Sequence, residues 1–400
     1  MGKNICFWVK LLSFILFFNI IFSSCNPGKQ TADSYYKYDR IVIKAVFNDS
    51  DTGHFIVDTG GGLISLDSSF YADVIKSKPV IGKPNFSAGP GSKRIKRVVY
   101  DSLSFKYKSN TYENLKFSVF NFDTFFINHY DGIIGDFFLK DKILLLDFKN
   151  EDFDFIQRTA VKKYAELDSI PITLSKGKPC IEATIILKDG SNISGNFILD
   201  TGFQGSLILW QHVAKAHIGE SAYSNRLTIE GKNANISGDM KMHVFVAESL
   251  KNRLFEVKNP IIAYEEYENP VAVKNPDTYQ LGVIGNDLLS NYLIILDYPM
   301  RKMYFKPYKG VEQEEFYRAG FETGIYKNKG LLVQALIYNS PADSAGIQID
   351  DILLEANGIK ATKANRSEII KLLKTPGTVK LKLQRKDSIF EKQVPVKKLL

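Results

Sequence analysis

The feature that most constrains this chain is a triplet that occurs twice, each time after an apolar run. Residues 55–60 read Phe-Ile-Val-Asp-Thr-Gly, and residues 197–202 read Phe-Ile-Leu-Asp-Thr-Gly. In each copy the apolar residues are typical of a buried strand, and the glycine permits a tight turn. The sequence therefore predicts two strands that each deliver an aspartate to the tip of a loop.

A second motif follows each triplet and shows that the repeat extends well beyond it. Residues 131–139 read Asp-Gly-Ile-Ile-Gly-Asp-Phe-Phe-Leu, and residues 281–289 read Leu-Gly-Val-Ile-Gly-Asn-Asp-Leu-Leu. Gly135 follows Asp58 by 77 positions, and Gly285 follows Asp200 by 85. A repeat of this kind takes precedence over element-by-element prediction, so we expect two copies of one folding unit.

Composition is compatible with large β-rich cores. The chain has 400 residues, of which 44% are hydrophobic, and it contains 28 Phe and 20 Tyr, which favour strands. The net charge of +8 is mild for this length, and no nucleic-acid-binding motif accompanies it, so we expect no nucleic-acid partner. The basic run at 93–97 is interpreted as a solvated loop or strand edge, with a contact for acidic substrates or lipid headgroups as the alternative.

Cysteine and histidine usage predicts neither disulfides nor a metal. Of the three cysteines, Cys6 and Cys25 lie in or next to a leader, which leaves Cys180 as a buried apolar residue. The closest histidines, His212 and His217, are five positions apart, a poor spacing for one helical face. We expect no cofactor.

The first 36 residues have the pattern of an export signal followed by a tether. Residues 1–24 combine basic residues, a short apolar core and small residues before Cys25, which is typical of a signal peptide. The small residues before the cysteine resemble a bacterial lipobox, although Phe22 stands where that motif usually has leucine. The resemblance implies lipidation of Cys25, a tether over 25–36, and a location in the bacterial cell envelope, facing the periplasm or the exterior. Plain secretion is the alternative.

Two Asp-Thr-Gly turns that meet face to face would create a specific chemistry. Carboxylates about 3 Å apart repel each other strongly and share one proton, which separates their pKa values. The ionised member can then take a proton from a water molecule, and the protonated member can donate to a carbonyl oxygen.

Each unit resembles a retropepsin-type aspartic protease domain, and the tandem pair resembles a two-lobed pepsin-like enzyme. The resemblance implies a mostly all-β chain with two acid-protease β-barrel lobes, at 37–150 and 167–307, joined by a connector at 151–166. It makes Asp58 and Asp200 the catalytic dyad and the rest of each triplet its support: Thr59, Gly60, Thr201 and Gly202. Flaps are expected at Gly89, Gly91 and Gly231, and the second motif should pin each turn through its apolar residues: Ile133, Ile134, Val283 and Ile284.

The chain departs from this family next to both triplets. Gly61 and Phe203 stand where the family usually has serine, threonine or alanine, so each carboxylate lacks a hydroxyl donor. Tyr100 is the nearest match to the flap tyrosine of pepsin-like enzymes. These departures leave open a binding scaffold without catalysis.

The C-terminal residues, 310–400, resemble a PDZ domain (α+β) of the bacterial protease-associated type. Ser340-Pro-Ala, Ala345-Gly346, Asp351-Ile-Leu and Asn357-Gly358 carry this resemblance. It implies that Arg318, Gly320 and Phe321 belong to a loop that binds the carboxylate of a peptide C-terminus. The alternative is a domain that docks on the lobes without binding peptide.

The combined prediction is a lipid-anchored aspartic endopeptidase that acts on polypeptides as a monomer, because one chain supplies both aspartates. The rival prediction is a non-catalytic envelope lipoprotein that binds peptides in the same cleft and PDZ groove. A third possibility is self-processing, or cleavage of a single envelope partner.

Overall fold

The computed structural model describes residues 33–37, 39–47, 51–74, 81–88, 94–122, 130–223, 225–235, 238–266, 280–309, 315–325 and 330–400. The protein is mostly β, with 54% strand and 15% helix, and it contains a six-stranded barrel. The expectation of a chain dominated by β structure is confirmed at this level. The signal segment, Cys25 and the tether up to residue 32 lie outside the described residues.

Within its described residues, the first unit has eight strands and one short helix. Its strands are β1 (Ser34–Lys37), β2 (Arg40–Phe47), β3 (Asp51–Val57), β4 (Ile64–Asp67), β5 (Ile81–Ala88), β6 (Arg94–Tyr107), β7 (Asn110–Phe120) and β8 (Gly132–Ile134), and helix α1 is Ser68–Val74. They form one sheet in the order β1-β2-β3-β8-β4-β7-β6-β5, and an extra pairing between β2 and β6 closes six of them into a barrel. Phe47, Phe55 and Phe117 are almost fully buried in its core.

The segment between the units is not a plain connector. It begins with α2 (Asp136–Leu139) and β9 (Ile143–Asp147), and continues with β10 (Asp152–Phe155), α3 (Arg158–Val161), a 3₁₀ turn (Lys162–Tyr164) and β11 (Asp168–Pro171). Strand β10 lies inside the charged stretch that the sequence predicted as a connector. Its two phenylalanines alternate with aspartates, so Phe153 and Phe155 are buried while the aspartates face outward.

The second unit repeats the strand pairing of the first. Its strands are β12 (Thr173–Ser175), β13 (Lys178–Ile186), β14 (Asn192–Leu199), β15 (Leu207–Leu209), β16 (Arg226–Asn235), β17 (Gly238–Val246), β18 (Ser249–Lys251), β19 (Glu256–Lys258), β20 (Ile261–Glu265) and β21 (Gly282–Ile284), with α4 (Gln211–His217) and a 3₁₀ turn (Glu220–Ala222). Strand β21 is parallel to β14 and antiparallel to β15, just as β8 is parallel to β3 and antiparallel to β4. The repeat in sequence is therefore a repeat in topology.

A shared sheet connects the two units. After α5 (Asn286–Leu289), strands β22 (Tyr292–Asp297) and β23 (Lys302–Pro307) complete a five-stranded sheet in the order β10-β9-β22-β23-β11. The central strands are β9 and β22, and each carries an apolar run, at 143–146 and 293–296, that occupies the same place in the two copies. Leu146 pairs with Ile294 across them. These runs are apolar throughout because both faces of the central strands are covered, as Ile295 and Leu296 show by being almost fully buried.

The C-terminal residues form a separate core on the second unit. Their elements are β24 (Tyr317–Arg318), β25 (Phe321–Ile325), β26 (Leu331–Ile337), α6 (Pro341–Ser344), β27 (Ile352–Ala356), β28 (Ile359–Lys360), α7 (Arg366–Lys374), β29 (Gly377–Arg385) and β30 (Ser388–Lys398). Helix α6 begins at Ser340, whose side chain accepts a hydrogen bond from the Asp343 amide. The buried Asp351 is held by Arg385, with nitrogen–oxygen distances of 2.6 and 2.7 Å. Among the described helices, none combines the length and the apolar character needed to cross a bilayer.

The ion pair between the half-exposed Arg158 and the buried Asp297 in the shared sheet provides a test of this arrangement. Asp297 is fully buried and is bonded by the two terminal nitrogens of Arg158. Replacing Arg158 with methionine would leave a buried carboxylate without its partner, so we expect Arg158→Met to lower the free energy of unfolding by about 3 kcal/mol. Urea denaturation measures this loss. Lys188→Met, which removes an exposed ion pair with Glu248, is the control and should cost less than about 1 kcal/mol.

Candidate active site

The strand pattern of each unit delivers its triplet to the same kind of turn. The Asp58 amide donates to the Ile134 carbonyl at 2.9 Å, and the Asp200 amide donates to the Ile284 carbonyl at 2.9 Å. Both isoleucines are almost fully buried, so the second motif fixes each aspartate by backbone hydrogen bonds and anchors itself in the core. Val283 is buried as well, while Ile133 is only partly buried.

The two turns are joined by reciprocal hydrogen bonds between their threonines. The Thr59 amide donates to Thr201 Oγ1 at 3.1 Å, and the Thr201 amide donates to Thr59 Oγ1 at 3.0 Å. Each hydroxyl in turn donates across the junction at 2.7 Å, from Thr59 to the Leu199 carbonyl and from Thr201 to the Val57 carbonyl. Both threonines are fully buried. The two loops are thus held together from positions that are 142 residues apart.

The glycines allow each turn to lie against the opposite carboxylate. A Cβ atom on Gly60 would overlap the carboxylate of Asp200, and one on Gly202 would lie 2.5 Å from Cγ of Asp58. Any residue larger than glycine would therefore push the two turns apart. The structure brings together all six predicted residues of the two triplets.

The carboxyl groups of Asp58 and Asp200 are close enough to interact directly. Burial raises the pKa of Asp58, and the neighbouring Asp200 charge and a hydrogen bond with the Asp200 side chain raise it further. Asp58 Oδ1 is buried without a hydrogen-bond partner among the described residues. Two carboxylates this close repel each other when both are ionised, so the pair favours a state that shares one proton.

Hydrogen bonding distinguishes the two members of the pair. Asp200 Oδ1 accepts from the amides of Gly202 and Phe203 at 2.7 and 3.2 Å. Amide donors stabilise a negative charge, so Asp200 is the better site for the ionised carboxylate and Asp58 for the proton. Phe203 has no hydroxyl group that could donate to Asp200, and the backbone amides of Gly202 and Phe203 donate to it instead. On the other side, a Cβ on Gly61 would lie 2.8 Å from Asp58 Oδ2, so glycine leaves that oxygen uncrowded.

The predicted flap residues are only partly described. Gly89 and Gly91 lie outside the described residues, as does Lys93 of the basic run. Gly231 does not mark a loop tip as expected, because it is in the middle of β16, where it pairs with Met240. The pairing of β16 with β17 continues beyond Gly231, to Asn235 opposite Gly238. Tyr100 stacks on Phe117 with ring centroids 5.4 Å apart, at the base of the other hairpin.

The predicted carboxylate-binding residues lie at the start of the C-terminal core. Arg318 is in β24, where its guanidinium lies over the Phe316 ring at 4.1 Å. Gly320 has φ +114°, and a side chain there would overlap Ser340. Phe321 begins β25 and is buried in the core. The intervening amide, that of Ala319, donates to the Leu373 carbonyl at 2.9 Å, which ties this segment to the end of α7.

The sequence did not indicate Arg366, which lies at the edge of β25 near the predicted carboxylate-binding residues. Arg366, the first residue of α7, donates from Nη2 and Nε to the Thr323 carbonyl of β25 at 2.7 and 3.3 Å. The residue register of β25 is with β26, and Arg366 of α7 lies at the Thr323 carbonyl of β25. A peptide adding as a strand at that edge would compete with Arg366 for the Thr323 carbonyl.

The C-terminal core is continuous with the hairpin of the second unit. Strand β26 pairs with β16 from Ala335 to Ile337, opposite Gly231 to Ile229. Side chains reinforce this pairing, through Tyr338 with Glu230 and Lys232 with Asp350. The C-terminal core therefore contacts the second unit through β26, and the outer edge of β25 has no strand partner among the described elements.

The remaining chemistry-bearing residues do not form a second centre. Cys180 is fully buried, and burial raises the pKa of its thiol to about 11, so it stays protonated at neutral pH. Within the described ranges, no group of three or more His, Cys, Asp and Glu side chains could hold a metal ion.

Comparison with known proteins identifies one part of the chain. Residues 333–385 match the family model of the PDZ domain. The C-terminal core is therefore a PDZ domain, a module for peptide binding or regulation, as the sequence predicted for 310–400. A search of curated proteins finds none that matches this chain.

The reciprocal threonine bonds can be tested by an isosteric substitution. Thr59→Val keeps the shape of the side chain but leaves the Thr201 amide and the Leu199 carbonyl without their partner. Each buried group left unpaired costs about 1–3 kcal/mol, so we expect Thr59→Val to lower the free energy of unfolding by roughly 2–4 kcal/mol. Urea denaturation should show this loss for Thr59→Val and much less for Thr184→Val, which removes an exposed hydroxyl pair. Equal stability of the two variants would contradict a structural role for Thr59.

Proposed function

We propose that the protein is an aspartic endopeptidase whose two β units form one catalytic centre. The observation that supports this most directly is the pair of turns linked by Thr59 and Thr201, with Asp58 and Asp200 in contact between them. In this proposal the units are retropepsin-like lobes that form one bilobal enzyme, and the substrate is a polypeptide.

The proposed reaction assigns different roles to the two carboxyl groups. Asp200, which accepts two amide hydrogen bonds, takes a proton from a water molecule held between the pair. Asp58, whose raised pKa favours the protonated form, donates its proton to the carbonyl oxygen of the scissile peptide bond as the water oxygen attacks the carbon. Asp200 then donates its proton to the nitrogen as the carbon–nitrogen bond breaks, and Asp58 takes a proton from a hydroxyl group of the intermediate, which restores the starting dyad.

The PDZ domain would bind the C-terminus of a polypeptide and regulate access to the cleft. Its strand β26 pairs with β16, an arm of the hairpin that corresponds to a flap in the proposed protease fold. A peptide that adds to β25 would lie two strands away from that arm, because β26 pairs with β25 on its other side. The addition of a peptide strand to β25 would therefore act on the hairpin through β25 and β26.

The proposed location is the bacterial cell envelope, with the protein exported and held by a lipid on Cys25. The motivation is the sequence of the first 25 residues, in which an apolar core and small residues precede the cysteine. Labelling with a radioactive fatty acid would reveal the lipid. Loss of the label in Cys25→Ser is the expected result, and retention of it would contradict lipidation at Cys25.

The alternative function is peptide binding without hydrolysis. The observation that favours it is the absence of a hydroxyl side chain at Gly61 and Phe203. In that case the wild-type protein would bind peptides but cleave none at any pH between 3 and 8.

Substitution of either aspartate should abolish hydrolysis. We expect Asp58→Asn and Asp200→Asn each to lower kcat/KM by at least about 10³-fold, because neither can transfer the required proton. Mass spectrometry of a digested peptide library measures the cleavage. Asp189→Asn, in an exposed hairpin turn, is the matched control and should cleave like wild type. Full activity in either dyad variant would exclude the proposed mechanism.

Asp58→Asn should also change the stability of the folded protein in a predictable direction. Because the pKa of Asp58 is raised by folding, the folded state holds its proton more tightly, and stability falls as pH rises from the unfolded pKa through the folded one. Asp58→Asn removes this loss. We therefore expect the variant to be at least as stable as wild type at pH 7, so that its inactivity does not reflect unfolding.

Release of the groove edge should strengthen peptide binding by the PDZ domain. Arg366→Met removes the competitor for the Thr323 carbonyl, so we expect peptides with a free C-terminus to bind about 3–10-fold more tightly. Fluorescence anisotropy with a C-terminal peptide library measures the affinity, and Lys371→Met on the same helix is the control. Weaker binding by Arg366→Met would show that Arg366 contacts the peptide instead of competing with it.

A further inference from the structure

Two basic side chains, one from each unit, cross to the opposite Asp-Thr-Gly turn. Arg40 Nη1 donates to the Gly202 carbonyl at 2.8 Å, and Lys178 Nζ donates to the Gly60 carbonyl. Arg40 is the first residue of β2, and Lys178 is the first residue of β13. The next strand in each case, β3 or β14, ends directly before the aspartate. The two contacts are therefore equivalent under the repeat that relates the triplets.

The backbone holds these cations in place. The Asn286 side chain donates to the Asp39 carbonyl and to the Thr201 carbonyl, both at 2.8 Å, which pins the residue before Arg40 to the second turn. On the other side, Gly177 precedes Lys178 with φ +93° and lies against the carboxylate of Asp136. Both cations are half-buried, so water screens their charge only in part.

The Arg40 contact reaches the Asp200 carboxylate through one peptide group. The carbonyl that accepts from Arg40 belongs to the Gly202–Phe203 peptide, whose amide is shared between Asp200 Oδ1 and the Asp200 carbonyl, at 3.2 Å from each. A cation on the carbonyl polarises that peptide and strengthens the bond from its amide. The corresponding peptide after Gly60 has its amide on the Asp58 carbonyl, at 3.1 Å, so Lys178 acts on Asp58 through its field alone.

Among the residues that the structure describes, the other titratable groups that interact with the dyad supply no positive charge. Tyr298 is almost fully buried and interacts with both aspartates, and burial raises its pKa well above the ordinary value, so it is neutral. Cys180 is neutral for the same reason. Asp136 is a buried carboxyl group and can only add negative charge. Lys178 and Arg40 both oppose the rise in the pKa of Asp58 that burial causes.

The geometry points to Arg40 and Lys178 as paired positioning residues, which hold the two turns against each other and supply the positive charge that keeps one carboxylate of the pair ionised. This inference rests on the proposed function, because it assigns a role in that dyad. It adds that charge on these two residues, and not only their hydrogen bonds, sets the pH range in which the pair holds a single proton.

The test separates charge from hydrogen bonding. Arg40→Gln and Lys178→Gln keep a donor but lose the charge, whereas Arg40→Lys and Lys178→Arg keep the charge. Carbon NMR of protein labelled at the aspartate carboxyl carbons, with dyad signals assigned from Asp58→Asn and Asp200→Asn, follows the titration without requiring activity. We expect each Gln variant to raise the titration midpoints of the dyad by about one pH unit, and each charge-keeping variant to stay within about 0.3 unit of wild type.

Activity provides the second readout and separates the two proposals. The pH profile of kcat/KM should move upward with the NMR midpoints in the Gln variants, while Lys251→Gln, at an exposed position, leaves it unchanged. Absence of hydrolysis by wild type would refute the proposed function, and the NMR titration would still decide the present inference. The inference about Arg40 and Lys178 would be overturned by unchanged titration midpoints in the Gln variants, or by shifts in the charge-keeping variants as large as those in the Gln variants. If both Gln variants are unfolded, a shift above about 0.3 pH unit in either charge-keeping variant would overturn the inference.

Discussion

The reciprocal hydrogen bonds between Thr59 and Thr201 are the constraint on which the rest of the site depends. Their amides and hydroxyls satisfy one another in a fully buried position, so neither turn can move without leaving polar groups unpaired. Because the turns are fixed, the glycines beside them can lie against the opposite carboxylates. The contact between Asp58 and Asp200 follows from that closeness, and it adds to the effect of burial, which is the main cause of the raised pKa of Asp58.

The two halves of the site are alike in backbone and different in chemistry. Strands, turns and amide contacts repeat, yet Asp200 receives amide donors while Asp58 Oδ1 has no partner within the described structure. Arginine stands at the start of β2 and lysine at the start of β13, so the crossing cations differ as well. Duplication of a fold creates a symmetric frame, and substitutions within it make the two acids unequal. That inequality decides which of the two acids is the better site for the shared proton.

The PDZ domain is attached to the second unit through strand β16, which pairs with β17 on one side and β26 on the other. Gly231 is not at a loop tip because it pairs within this strand, with Met240 on one side and Ala335 on the other. Arg366 lies at the edge of β25, so the strand that contacts the second unit, β26, differs from the strand at which a peptide would add.

The sequence alone determined the features that are local or repeated. Two Asp-Thr-Gly triplets after apolar runs, each followed by a Gly-Ile-Ile-Gly or Gly-Val-Ile-Gly motif, were enough to predict duplicated strands and converging aspartates, and the motifs from Ser340 to Gly358 were enough to predict the PDZ domain. Only the tertiary structure decided which distant residues meet. The contacts of Arg40 and Lys178, the strand at Asp152–Phe155 and the pairing of β16 with β26 join elements whose separation leaves no periodic signal. A contact of this kind depends on how whole sheets pack, which spacing along the chain does not encode.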